Sequence, residues 1–133
     1  MGRTRARTAA GIVLDAGALI ALDRGDKRII ALLQRALAQG RAFRVPAGVV
    51  GQSWCDGRVQ VALARFLRSE EVEIIPLDEQ LARSCGELCG AAGSADMIEA
   101  SVGILARERR DLIVTSDLND LRRLDPSAQI ISI

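Results

Sequence analysis

Residues 94–121 read SADMIEASVGILARERRDLIVTSDLNDL, and their pattern sets the fold class. Ser94 stands where a hydroxyl caps a helix, and the residues that follow support one over Ala95–Arg109. Leu112–Thr115, LIVT, is short, apolar and β-branched, the mark of a strand buried on both faces. A second, shorter helix is expected over Asp117–Leu124. A helix, a wholly apolar strand and another helix in succession indicate a parallel sheet covered on both sides.

The same alternation continues towards both ends. Gly11–Asp15 (GIVLD) reads as a buried strand and Ala16–Asp23 as a short helix. Asp26–Gln39 carries helical periodicity through Ile29, Ile30, Leu33 and Leu37, with Gly40 placed to stop it. Ala42–Val45 is a short strand ending at Pro46. Helices are expected over Ala47–Cys55 and Val59–Arg68, a strand over Val72–Ile75, and a helix over Asp78–Ala92 that runs into Gly93. Gln129–Ile133 is the last strand. With right-handed crossovers these elements give an α/β fold, a three-layer α/β/α sandwich with a central parallel sheet. No internal repeat, low-complexity tract or linker interrupts it. Residues 1–10 are expected to form a basic N-terminal arm, and 11–133 a single domain.

Composition narrows the chemistry. The chain has 133 residues, a net charge of +1 and an apolar fraction of 49 %, which fits a globular protein. Its apolar runs are far shorter than a membrane span, and Met1–Ala10 lacks the apolar stretch of a signal peptide. The expected location is the cytoplasm, with no membrane partner. The basic residues cluster at Arg3, Arg5 and Arg7, at Arg107, Arg109 and Arg110, and at Arg122 and Arg123. Three cysteines, Cys55, Cys85 and Cys89, do not read as a disulfide framework and are expected as small buried apolar residues. The chain contains no His, which excludes Ser-His-Asp and Cys-His nucleophile systems and His-ligated zinc. Any acid–base chemistry falls to carboxylates, metal-activated water, Cys or Lys.

The carboxylates sit where such chemistry is built. Asp15 closes the first strand, and Asp117 lies just past LIVT. In open α/β sheets ligands bind beyond the carboxyl ends of the strands. If the first and fourth strands are neighbours, Asp15 and Asp117 flank one crevice. Asp96 and Glu99 share a face of the preceding helix, and Asp120 follows Asp117 by three residues. Acids gathered in one crevice raise one another's pKa, which a divalent cation relieves. An all-oxygen donor set selects Mg²⁺ or Mn²⁺. Each acid also has a structural reading, as a helix cap or a first-turn charge favoured by the macrodipole; their joint placement carries the functional one.

These stretches resemble the motifs of the PIN-domain family, in particular the VapC-type toxins. GIVLDAGALIAL is similar to its opening motif, VPAGVVGQSW to its second, and SADMIEASVGILARERRDLIVTSDLNDL to its third and fourth; the similarity runs from Gly11 to the end. The resemblance implies a metal-dependent endoribonuclease acting through metal-activated water, and a toxin neutralised by a cognate antitoxin protein. It also implies an RNA substrate and a homodimer. Asp15 takes the family's first acidic position and Asp117 the fourth. Asp96 and Glu99 both offer the third and are expected near the metal, with Glu99 preferred for its distance to Thr115.

The chain departs from the pattern at Gln52, which stands where the family has its second acid. Gln52 can hold a metal-bound water through its amide oxygen, and Asp96 or Asp120 can make up the charge. Thr115 and Ser116 are auxiliary candidates beside Asp117, and Arg58 is a candidate for RNA phosphate. The alternative reading is a catalytically weakened PIN-like module that binds RNA or a protein partner. A phosphoryl-transfer domain with an Asp at its first strand fits poorly. Gly17 occupies the position of a phosphatase's second Asp, and the sole Lys, Lys27, is far too early for a receiver domain.

Overall fold

The computed structural model describes residues 10–133. The basic arm with Arg3, Arg5 and Arg7 lies outside these residues. Five strands form one sheet in the order β3-β2-β1-β4-β5, all parallel. They are β1 (Ile12–Leu14), β2 (Phe43–Pro46), β3 (Val72–Ile75), β4 (Leu112–Thr115) and β5 (Ile130–Ser132). The condition set by the sequence is met: β1 pairs with β4, with Ile12 opposite Leu112 and Leu14 opposite Val114. The chain order reverses at this pair, so the crevice beyond it opens at the carboxyl ends of both strands.

Among the described residues, seven helices cover the two faces of the sheet. α1 (Ala16–Asp23), α2 (Lys27–Ala38), α3 (Ala47–Ser53) and α4 (Val61–Leu67) pack together on one side. α5 (Glu79–Ala92), α6 (Met97–Arg109) and α7 (Leu118–Leu124) pack on the other. The core lies on the strands and the helix faces that meet them: Ile12, Val13, Leu14, Val45, Ile113 and Val114 are fully buried beneath Leu19, Ile29, Leu63 and Val102. Burial on both faces is the reason Ile12–Leu14 and the centre of β4, Ile113 and Val114, are apolar. Gly93, with φ of 69°, takes the left-handed conformation that ends α5. α6 then leaves at 105° to α5. No single helix among the described residues is long and apolar enough to cross a membrane.

Several boundaries differ from the sequence reading. Asp96, not Ser94, caps α6: its carboxylate accepts from the Glu99 amide at 2.9 Å. Ser94 acts one step earlier, its hydroxyl accepting from the Asp96 amide. α3 stops at Ser53 rather than Cys55, and α4 starts at Val61 rather than Val59. The Gln60 side chain explains both. Its oxygen accepts from the Cys55 and Asp56 amides, and its nitrogen donates to the Ser53 carbonyl. Cys55 is therefore exposed, contrary to expectation, whereas Cys85 and Cys89 are buried as expected. The last strand is shorter than Gln129–Ile133.

Candidate metal centre

Three of the four acids singled out by the sequence are helix N-caps, so their structural and functional readings coincide. Asp15 caps α1, its Oδ1 accepting from the Ala18 amide at 2.9 Å. Asp96 caps α6, and Asp117 caps α7 by accepting from the Asp120 amide at 3.3 Å. Each cap engages one carboxylate oxygen and leaves the other for another partner. The three caps hold their carboxylates at helix N-termini, where the macrodipole favours negative charge.

Thr115 ties the two strand-end acids together. It is fully buried at the end of β4. Its hydroxyl donates to Asp15 Oδ2 and accepts from the Asp117 amide at 2.7 Å. Asp15 is itself only 3 % exposed. Burial pushes its carboxyl up; the Thr115 hydroxyl and the Ala18 and Ser116 amides oppose that shift, and the Asp117 charge adds to it. Ser116 is an exposed residue whose side chain lies against α1: a Cβ on Gly17 would come within 1.9 Å of its Oγ.

Glu99 is the most perturbed member. Burial first, and then the charges of Asp15, Asp96, Asp117 and Asp120, raise its pKa to about 7. Its Oε2 is buried and has no hydrogen-bond partner. A desolvated carboxylate oxygen without a donor is costly unless a proton or a cation reaches it. Asp120 joins the group from α7; its pKa is raised chiefly by its hydrogen bond with Asp117 and by that residue's charge. The structure thus brings Asp15, Asp96, Glu99, Asp117 and Asp120 within reach of one another's fields.

The donor set fits a hard divalent cation: oxygen atoms only, an excess of negative charge, and an orphaned oxygen on Glu99. Among the described residues, no three acidic side chains are drawn together tightly enough to hold an ion as they stand.

The remaining candidates are placed as follows. Gln52 is exposed on α3, one turn beyond Gly48. Gly48 marks where α3 meets the first turn of α6, since a Cβ there would lie 2.3 Å from Ile98 Cδ1. Arg58 lies elsewhere, exposed in the turn after Trp54, and its guanidinium pairs with Asp56 at 3.1 Å. Sequence reasoning missed Gly17 as a partner of Ser116. The signal available was a glycine in a helix's first turn, which costs helix propensity and calls for a packing reason.

No family model matches the sequence, and no curated protein does. Solved structures do match. VapC20 of Mycobacterium tuberculosis, described as a Sarcin-Ricin loop cleaving toxin, superposes with a TM-score of 0.65 and 20 % identity, covering 82 % of this chain and 92 % of that one. A toxin–antitoxin complex from Klebsiella pneumoniae gives 0.69 and 14 %, over 92 % and 97 % of the two chains. DNA-bound VapBC from Salmonella typhimurium gives 0.68 and 14 %, over 93 % and 98 %. At these identities the likeness establishes architecture: this chain has the PIN-like three-layer α/β/α fold shared with those toxin structures.

Proposed function

We propose that the protein is a Mg²⁺- or Mn²⁺-dependent endoribonuclease and the toxin of a toxin–antitoxin pair. The observation that carries this reading is Glu99, a half-buried residue with one buried, unpartnered carboxylate oxygen, set among the charges of Asp15, Asp96, Asp117 and Asp120 where β1 and β4 end. Asp15, Asp117 and Glu99 would hold the cation, with Asp96 beside them and Asp120 and Gln52 at its edge. When bound, the cation supplies a Lewis acid that activates water and steadies a phosphodiester for in-line attack. The Thr115 hydroxyl holds the Asp15 carboxylate and the backbone of Asp117 beside each other. Ser116 stands next to Asp117 at the open side, within reach of a phosphate oxygen. The Sarcin-Ricin loop cleaving toxin and the toxin–antitoxin complex of the same fold support an RNA substrate and a cognate antitoxin; a homodimer in the cytoplasm completes the reading.

Calorimetric titration of Mn²⁺ into wild type and Asp15→Asn, with RNA cleavage assayed on the same samples, tests it. Binding and cleavage that both vanish in the variant support the reading, and a wild type that neither binds nor cuts overturns it. Gln52 and the open spacing of the acids favour one alternative, a weakened module that binds RNA or a protein without cutting. Metal binding with no cleavage of any RNA, undiminished antitoxin binding and cleavage restored by Gln52→Glu would select it.

A further inference from the structure

The arginines of α6 and α7 differ in what they already hold. Arg107 pairs with Asp125 at 3.2 Å and Arg109 with Glu73 at 3.7 Å. Arg122 donates to the carbonyls of Pro126 and Ala128, at 3.1 and 2.6 Å, closing the turn before β5. Its neighbour Arg123 is exposed and makes no ion pair or hydrogen bond with any described residue. Arg123 sits one turn beyond Asp120 on α7, on the side of the helix that carries that acid. Its positive charge opposes the effect of Asp117 on Asp120, as the one-turn spacing of Asp120 and Arg123 on α7 leads one to expect.

A polyanion approaching five carboxylates is repelled unless a cation receives it. Base stacking cannot supply much of that attraction. The chain has no Tyr, Phe43 is buried against Phe66 with ring centroids 5.4 Å apart, and Trp54 is the one exposed large aromatic among the described residues. Affinity must then come from backbone contacts. Arginine is suited to them because its planar fork meets two phosphate oxygens at once.

We propose that Arg123 is a substrate-binding residue that holds an RNA phosphate at the edge of the acid cluster, while Arg122 serves the fold. The inference rests on the ribonuclease reading above. The test uses a fluorescein-labelled, mixed-sequence single-stranded RNA oligonucleotide with Mn²⁺ and the full chain. Arg123→Ala is compared with wild type, Arg123→Lys and Arg83→Ala, the last removing an exposed arginine from α5. The expected result for Arg123→Ala is a KM raised about tenfold with kcat little changed. The slope of log affinity against log salt should fall by about 0.7, the loss of one single-strand phosphate contact. Arg123→Lys should recover part of the affinity, Arg83→Ala should match wild type, and thermal unfolding should be unaltered in all three.

Cleavage by wild type with the same KM and salt slope in Arg123→Ala overturns this inference and leaves the ribonuclease reading standing. Loss of antitoxin binding without change in RNA kinetics also overturns it and assigns the guanidinium to a protein interface. A wild type that neither binds nor cuts RNA removes the ribonuclease reading and this inference with it.

Discussion

A methyl group on Gly17 would lie 1.9 Å from Ser116 Oγ and 2.9 Å from Ser116 Cβ, so the sign of Gly17→Ala depends on residue 116. Alone, the substitution must displace Ser116 and the chain beside Asp117, and it should destabilise. In a Ser116→Gly background the obstruction is gone. The ordinary preference of a helix for Ala over Gly, about 1 kcal/mol, should then make the same change stabilising. Urea unfolding of the four proteins in the cycle checks this; equal effects in both backgrounds would show the contact to be slack. Glu99 gives a pH-dependent counterpart. Its folded-state pKa of about 7 lies above the ordinary 4.5. The stability it contributes is therefore fully present below about 4.5 and lost as pH rises through about 7. Burial acts on Asp15 in the same direction. In EDTA the melting temperature should fall across that window, and Glu99→Gln should flatten the fall. Identical pH profiles for the two proteins would remove Glu99 as its source. The acids were readable from the sequence because each follows an apolar strand or opens a helix. Gly17 was not, because its role appears only once α1 and the segment after β4 are brought together.

Helix α6 shows how one side chain serves both structure and site. Asp96 caps it, and the same carboxylate adds to the field that raises Glu99. Asn caps a helix about as well as Asp, whereas Ala costs roughly 1 kcal/mol. Asp96→Asn should leave stability within a few tenths of a kcal/mol of wild type, and Asp96→Ala should lose the full amount. Both remove the charge, so both should weaken Mn²⁺ binding, which calorimetry reads directly. An Asn variant that binds as wild type does would reduce Asp96 to a cap. The element boundaries that the sequence missed share one cause. A side chain made a hydrogen bond that periodicity does not register. Asp96 displaced Ser94 as the cap, and Gln60 trimmed α3 and delayed α4. α6 also ends without glycine, on Arg110 at φ of 56°, so no glycine marks its left-handed stop. All five strands fall where they were expected to within a residue or so at each end; burial on both faces makes β1 and β4 readable as apolar runs whatever the local bonds.

The sheet separates two kinds of polar group by its two ends. The acid cluster lies past the carboxyl ends of β1 and β4. At their amino ends lies a buried ion pair that no pattern in the sequence announced, since Arg44 occupies a strand position where an apolar residue is expected. Arg44 and Asp111 are each 5 % exposed in their side chains and 3.2 Å apart. The pair knits four segments together. Arg44 also donates to the Leu105 carbonyl at the end of α6, and Asp111 accepts from the Gly11 amide just before β1. Removing Asp111 leaves the buried Arg44 only the exposed Glu108 at 3.6 Å and the Leu105 carbonyl as partners, so Asp111→Ala should cost about 3 kcal/mol, the low end for a buried pair broken from one side. Replacing both partners, as Arg44→Met with Asp111→Ala, should recover much of that loss, because no charge remains to be desolvated. The functional consequence follows from position: while folded, either variant should bind Mn²⁺ with wild-type affinity, because neither residue touches Asp15, Glu99 or Asp117. Denaturant titration reads the first effect and calorimetry well below the unfolding midpoint reads the second. A folded Asp111→Ala protein with weakened metal binding would show that the two ends communicate through β1 and β4, and that the pair at the amino ends sets the register on which Asp15 and Asp117 meet.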